Sequence, residues 1–266
     1  MLASMVVLDS VFSMTDSTVK TAILRPFLRG VQRMFTGKVV VVTGAAGALG
    51  QAVFAHFASH GAVMVAIDYK QSLLDDAFPE QPGQHRYLAV DLTDRPACEQ
   101  AIADVASELG SLDVLCNIAG GFMMGEMVHE TSDSTWDFLM NLNTRSIINT
   151  ASAAVPVMLE QGSGKIVNVA ARAATQGFAQ MGLYTASKAA VMRLTEAMAA
   201  ELRVNNINVN CIMPGTIDTP RNREDMPDAD FDTWVPTSQL ASVVGFLASD
   251  AAIAVHGASV PVDGLS

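Results

Sequence analysis

The chain has 266 residues, half of them apolar and only 16% charged, which supplies ample material for a packed core and excludes intrinsic disorder. A formal charge of −11 and a pI near 4.7 exclude the basic surface that nucleic acid binding requires, so no nucleic acid partner is expected. The three cysteines, Cys98, Cys116 and Cys211, are far apart and form no CxxC pair or Cys/His cluster, so neither a disulfide framework nor a metal site is signalled, and a reducing, cytoplasmic location fits.

The chain opens on a segment of different character. Its first 38 residues hold Lys20, Arg25, Arg29, Arg33 and Lys38 against Asp9 and Asp16, a balance of +3 that leaves −14 on the rest. Residues 1–35 are therefore expected to form an N-terminal extension, flexible or serving as an oligomer arm, ahead of one domain over 36–266. The extension lacks the roughly 18-residue apolar run of a membrane span, and Asp9 and Asp16 interrupt any secretory signal, so no membrane partner is expected; a targeting presequence is the less favoured alternative.

From Lys38 onward, short β-branched runs alternate with longer helical stretches. Strands are expected at 39–44, 62–68, 85–91, 112–120, 164–170 and 207–215, with a last one near 258–264, and helices in the gaps. Runs such as VVVV read as strands buried on both faces. The expectation is a single-domain α/β protein with a Rossmann-like, doubly wound parallel sheet of about seven strands and helices on both faces. Ligands of such sheets bind beyond the carboxyl ends of the strands.

The first strand ends in TGAAGALG (43–50), just before an apolar helical stretch. Thr43, Gly44, Gly47, Leu49 and Gly50 would form a tight turn whose backbone N–H groups approach a pyrophosphate at a helix N-terminus. Asp68 closes the second strand, 18 residues beyond Gly50, where a carboxylate accepts from the ribose hydroxyls and repels a 2′-phosphate. NAD(H) is therefore favoured, with NADP(H) left open by the nearby Lys70.

Further along, Tyr184 and Lys188 are spaced i and i+4 on an expected helix and so share a face. An ammonium beside a phenol favours the phenolate, and the expectation is that Lys188 lowers the Tyr184 pKa so that the pair serves as an acid/base. Phe122, Met123, Met124 and Met127 follow the fourth strand, either as an apolar substrate wall or as core filler.

With TGAAGALG, Asp91-Leu92, NIAG (117–120), Tyr184-x-x-x-Lys188, PGTIDT (214–219) and VDG (262–264) in this order, residues 36–266 resemble the short-chain dehydrogenase/reductase family. The resemblance implies that Asp91 and Leu92 hold the adenine, that Asn117, Ala119 and Gly120 line the cofactor cleft with Tyr184 and Lys188, and that Pro214, Gly215, Ile217 and Thr219 cover the nicotinamide; the alternative for Asn117 is that it only stabilises the strand end. It implies a water-holding role for Asn143, with Asn141 as competitor, and a homodimer or homotetramer built on the alanine-rich helix near 186–203.

The family usually has a serine thirteen residues before the tyrosine, and here that position is Ala171. Among family members the chain resembles the dihydropteridine reductase branch, both in this alanine and Arg172 and in residues 218–234, where Asp218, Thr219, Pro220, Asn222, Arg223, Met226, Pro227, Ala229, Asp230, Phe231 and Trp234 match. Ala171, Arg172, Phe122 and Trp234 are the candidate substrate residues; Phe231 and Trp234 would either meet a flat ring or pack a lid. The implied function is NAD(P)-dependent hydride transfer to an activated C=N or C=O group of a small molecule. A general ketone reductase or alcohol dehydrogenase is the alternative, and a weakly active cofactor-binding or regulatory protein is a second.

Overall fold

The computed structural model describes residues 34–265. The expected N-terminal extension lies, but for its last two residues, outside them. Phe35 is buried and stacks at 4.5 Å on Phe57, so the packed unit includes a residue assigned above to the extension.

Seven strands form one parallel sheet in the order β3-β2-β1-β4-β5-β6-β9: β1 (Val39–Thr43), β2 (Val63–Asp68), β3 (Arg86–Ala89), β4 (Val114–Asn117), β5 (Gly164–Val169), β6 (Ile207–Pro214) and β9 (Ser259–Val262). Each coincides with an expected strand. The expected bounds overran at the carboxyl ends, most at β4, where Ile118–Gly120 leave the ladder for the cleft. A second sheet was not foreseen: β7 (Ile217–Asp218) pairs in parallel with β8 (Val235–Pro236). Two residues per strand carry no readable periodicity.

Successive β1 side chains enter opposite cores, as a strand covered on both faces requires. Val40 and Val42 pack under helices α1 (Ala48–Ser59) and α8 (Thr237–Ala248). Val39 and Val41 pack on the other face, which is covered by α3 (Arg95–Leu109), α5 (Ser146–Gln161) and α6 (Gly182–Leu202). The short α2 (Gln71–Ala77) follows β2, α4 (Asp133–Met140) precedes α5, and α7 (Pro220–Asp225) follows β7.

One buried polar chain links α5 to α6 along one face of the sheet, through β4 and β5. Thr150 Oγ1 of α5 donates to Asn117 Oδ1 (2.8 Å), Asn117 Nδ2 to Asn168 Oδ1 (2.8 Å), and Asn168 Nδ2 to Thr195 Oγ1 of α6 (2.9 Å). Four buried groups thereby satisfy one another and fix the ends of β4 and β5, where the cleft begins.

Candidate active site

Three glycines shape the turn after β1, each differently. Gly44 has φ +61°, and a β-carbon there would lie 2.7 Å from Ala119 Cα; one on Gly50 would lie 2.2 Å from the Gly44 carbonyl oxygen. Packing alone demands these two. At Gly47 an added β-carbon meets only the Gly44 oxygen, at an ordinary 3.4 Å.

Gly47 is the N-cap of α1, which has no side-chain cap and no acidic residue in its first turn. A twelve-residue helix thus presents its N–H groups and the positive end of its dipole uncapped, and these residues fit a pyrophosphate. The Leu49 side chain is buried in the core, so only its backbone faces that end. Thr43 is buried too, and its hydroxyl accepts from the Ile118 (3.1 Å) and Ala119 (3.2 Å) N–H groups, tying this turn to NIAG.

Asp68 lies beside the turn. Its Oδ2 accepts from Ala46 N (2.9 Å) and its Oδ1 from Tyr69 N (2.8 Å), while Lys70 is placed over the Tyr69 ring, 5.7 Å from its centroid. Asp91 closes its own turn by accepting from the Thr93 N–H and hydroxyl, and Leu92 is buried. Asn117 is occupied by the buried chain described above, so its side chain acts on the strand ends.

The cover segment is likewise knitted together. At the end of β6, Gly215 N donates to Val262 O (3.0 Å), and the Thr219 hydroxyl caps α7 by accepting from Asn222 N (3.1 Å). Pro214 and Ile217 sit in β6 and β7.

Lys188, on α6, is buried and donates from Nζ to the Val169 carbonyl at 2.8 Å. A β-carbon on Gly120 would lie 2.9 Å from Lys188 Nζ and 3.0 Å from Asn143 Oδ1, so both groups converge on one face of that glycine. Asn143 occupies the middle of a π-helical turn, Asn141–Arg145, between α4 and α5. Such one-turn insertions are frequent at functional sites. Its Oδ1 accepts from Gly121 N (2.8 Å), and its Nδ2 donates to Gly121 O (3.0 Å) and Ser187 Oγ (3.0 Å). Asn141 lines a separate groove with Trp136 and Arg145.

Sequence reasoning missed Ser187. It is fully buried, accepts from Asn143 and donates to the Tyr184 carbonyl at 2.8 Å, coupling the π turn to α6. Its position three residues after Tyr184, on the same helical face, was the available signal.

The electrostatics of the pair differ from expectation. Burial pushes the Tyr184 phenol up to about 12 and the Lys188 ammonium down to about 8. The ammonium is directed to the Val169 carbonyl, and loss of water disfavours each charged form more than the pair favours it.

Phe122 meets Tyr184 edge-on, with centroids 4.8 Å apart, and is 55% exposed. Met123 and Met124 line a small cleft with Tyr184 and are about half exposed, so they form a wall and do not fill the core. Met127 is half exposed outside that lining. Ala171 is buried at the end of β5, whereas Arg172 is half exposed and ion-paired with Asp263 at 3.1 Å. Trp234 is 7% exposed and packs on Phe231 at 4.8 Å, and the Arg223 guanidinium that pairs with Asp218 lies over the Phe231 ring; this is lid packing and leaves little of the indole to meet a ring. Among the described residues no His/Cys/Asp/Glu group could hold a metal, and no helix is long and apolar enough to cross a membrane.

Comparison with known proteins bears on this geometry. The family model described as short chain dehydrogenase matches residues 38–230. A 3-oxoacyl-[acyl-carrier-protein] reductase of Thermotoga maritima is 33% identical over 240 residues, covering 86% of this chain and 97% of its own. Dehydrogenase/reductase SDR family member 6 of Rattus norvegicus is 35% identical over 244 residues, covering 86% and 96%. Among solved structures, carveol dehydrogenase from Mycobacterium avium in complex with NAD superposes with a TM-score of 0.79 at 27% identity, covering 87% of this chain and 98% of that one.

Proposed function

The chain belongs to the short-chain dehydrogenase family and is an oxidoreductase of it, and from that premise we propose that it reduces a small carbonyl or imine at the expense of a nicotinamide dinucleotide, with Tyr184 supplying the proton. The observation that carries this reading is the convergence of Lys188 Nζ and Asn143 Oδ1 on Gly120, one helical turn from Tyr184. The dinucleotide, when bound, supplies the hydride.

This chain's residues divide the remaining work. The 44–50 turn and the α1 N-terminus hold the pyrophosphate, Asp68 the ribose, the 91–92 segment the adenine, and Pro214, Gly215, Ile217 and Thr219 cover the nicotinamide. NAD(H) is favoured because the Asp68 carboxylate, which has no ion-pair partner among the described residues, would repel a 2′-phosphate, while Lys70 is drawn to Tyr69. Tyr184, protonated below about pH 12, is set to act as the acid: its hydroxyl gives a proton to the substrate heteroatom as carbon takes the hydride. Lys188 and Asn143 line the route by which that proton is restored. The homodimer or homotetramer built on the alanine-rich part of α6 belongs to the same proposal.

For substrate, the relatives favour a general carbonyl or alcohol of a small molecule. A second reading, a dihydropterin-like C=N, is favoured by Ala171, since an electrophilic conjugated imine needs less help from a hydroxyl donor than a ketone does. NADH oxidation with quinonoid dihydropterin beside a panel of small ketones separates the two. Turnover that Tyr184→Phe abolishes supports the enzyme; tight NADH binding with no turnover on any of them supports a cofactor-binding protein.

A further inference from the structure

Among the described residues that line one cleft with Tyr184, a single one is charged, Glu126. The loop carrying it is locked onto the segment leading into α6. Gly125, at φ +120°, donates from N to the Gln180 carbonyl at 2.8 Å, and Gln180 itself adopts the left-handed φ +60° that non-glycine residues seldom take. Val128 packs so closely on Gly182 that a β-carbon there would lie 2.6 Å from Val128 Cγ2. Glu126 and Tyr184 are thus fixed relative to each other by contacts on both sides of the carboxylate.

The carboxylate itself is also pinned. Oε1 accepts from the Ser132 hydroxyl (3.0 Å) and the Thr135 hydroxyl (3.1 Å), and Oε2 from the Ser132 N–H (3.2 Å). These donors, the Ser132 N–H foremost, hold its pKa below the ordinary carboxylate value, so it is an anion across the physiological range. A carboxylate offers about four acceptor sites, and three are used here; the fourth is on Oε2. No ion pair neutralises Glu126 among the described residues. Capping α4 would need only the Ser132 hydroxyl, which already accepts from Thr135 N, so the cap does not account for an unneutralised charge in the cleft.

We propose that Glu126 is the specificity-determining residue of this cleft, selecting substrates that carry a neutral or cationic hydrogen-bond donor near the reacting carbon and rejecting anionic ones. The inference rests on Tyr184 being the proton donor of the proposed reduction. It narrows the substrate class to hydroxy- or amino-substituted carbonyls and imines and disfavours carboxylates and phosphates.

The test uses three small ketones, aminoacetone, hydroxyacetone and acetoacetate, which present a cation, a neutral donor and an anion. Their binding to the full-length protein, with and without saturating NADH, is measured by ligand-observed NMR, and kcat/KM is measured wherever turnover occurs. Aminoacetone and hydroxyacetone are expected to bind more tightly than acetoacetate, and Glu126→Gln to lower the aminoacetone-to-acetoacetate affinity ratio about tenfold. Ser132→Ala, which loosens both the α4 cap and the carboxylate but keeps the charge, should lower Tm and reduce the ratio less than Glu126→Gln does. Equal wild-type affinities for cation and anion, or a Glu126→Gln variant that weakens all three alike, would overturn the proposal. Failure of NADH to bind would instead count against the proposed reduction, because the ketone affinities of the protein alone still decide the role of Glu126.

Discussion

Lys188 donates its ammonium proton to the carbonyl oxygen of Val169 at 2.8 Å, from a site where burial lowers its pKa from 10.5 to about 8. Below pH 8 both folded and unfolded chains hold this proton, and the folded state bears the full cost of a buried charge. Between pH 8 and 10.5 the folded state has shed a proton that the unfolded state keeps, so stability rises with pH through that window, by at most about 3 kcal/mol. Lys188→Met should therefore raise Tm at pH 7, by the equivalent of about 1 kcal/mol after the lost hydrogen bond, and the gain should shrink as pH rises towards 10.5. Thermal melts of both proteins across pH 7 to 10.5 check this.

Tyr184 is held protonated by its raised pKa, which makes the two directions of reaction respond oppositely to pH. Reduction needs the phenol and should stay flat between pH 6 and 8. Oxidation needs the phenolate and should climb with pH over the same range. Tyr184→Phe should cut kcat by about 10²–10⁴ in both directions while NADH affinity and Tm stay near wild type. Steady-state profiles in each direction, with cofactor binding by fluorescence, read all three.

Gly47 and Gly50 share a turn yet should fail differently when replaced by alanine. At Gly50 the new β-carbon would meet backbone at 2.2 Å and 2.7 Å, so Gly50→Ala should lower Tm by several degrees or prevent folding. At Gly47 there is room, φ is negative, and the fold should be indifferent. The methyl group would instead stand at the uncapped end of α1, and Gly47→Ala should weaken NADH binding about tenfold with Tm unchanged. A loss of stability at Gly47, or none of affinity, would refute the assignment of that end to the pyrophosphate.

What the sequence made legible follows from what each feature depends on. Continuous apolar runs such as VVVV mark strands buried on both faces, and the alternation of short β-branched runs with helical stretches made all seven sheet strands readable. Tyr184 and Lys188 were readable because helical spacing fixes their common face. Their pKa values were not, because desolvation comes from neighbours distant in sequence, Phe122 and the end of β5 among them. Asn117 read either as a cleft residue or as a brace for the strand end, and a choice between them needs its partners Asn168 and Thr150, 51 and 33 residues away. Glu126 gave no signal at all, since it comes to share a cleft with Tyr184 only through the fold.

His85 should make the protein acid-sensitive. It is buried beside Phe54, and its Nδ1 accepts from the Met64 N–H at 3.1 Å, a bond that protonation of Nδ1 abolishes. Burial holds its pKa below the ordinary 6.5, and His56 shifts the same way through burial and the nearby His60. For both, the unfolded chain takes up a proton before the folded chain does, so stability is complete above pH 6.5 and falls as pH drops from 6.5 towards the folded values. Urea midpoints should decline below pH 6.5. In His85→Asn, whose carbonyl can still accept from Met64 N–H and does not titrate, the decline should be shallower.

Ala171 is the position at which activity can be gained. It is buried just past β5, two residues beyond Val169, whose carbonyl holds Lys188, and at the start of the segment that leads to Tyr184. A serine there would add a donor where negative charge develops on a carbonyl oxygen during reduction, and one oriented donor is commonly worth about 10²–10³ in rate. The added oxygen is small, but it enters a site that is 6% exposed, and some stability should be lost, on the order of 1 kcal/mol. If Ala171 reflects a substrate electrophilic enough to need no such donor, Ala171→Ser should raise kcat/KM for unactivated ketones by tenfold or more and leave the rate on a conjugated imine within about threefold. A large gain on every substrate would mean that the alanine impairs the site, and no gain on any would mean that position 171 does not face the reacting oxygen.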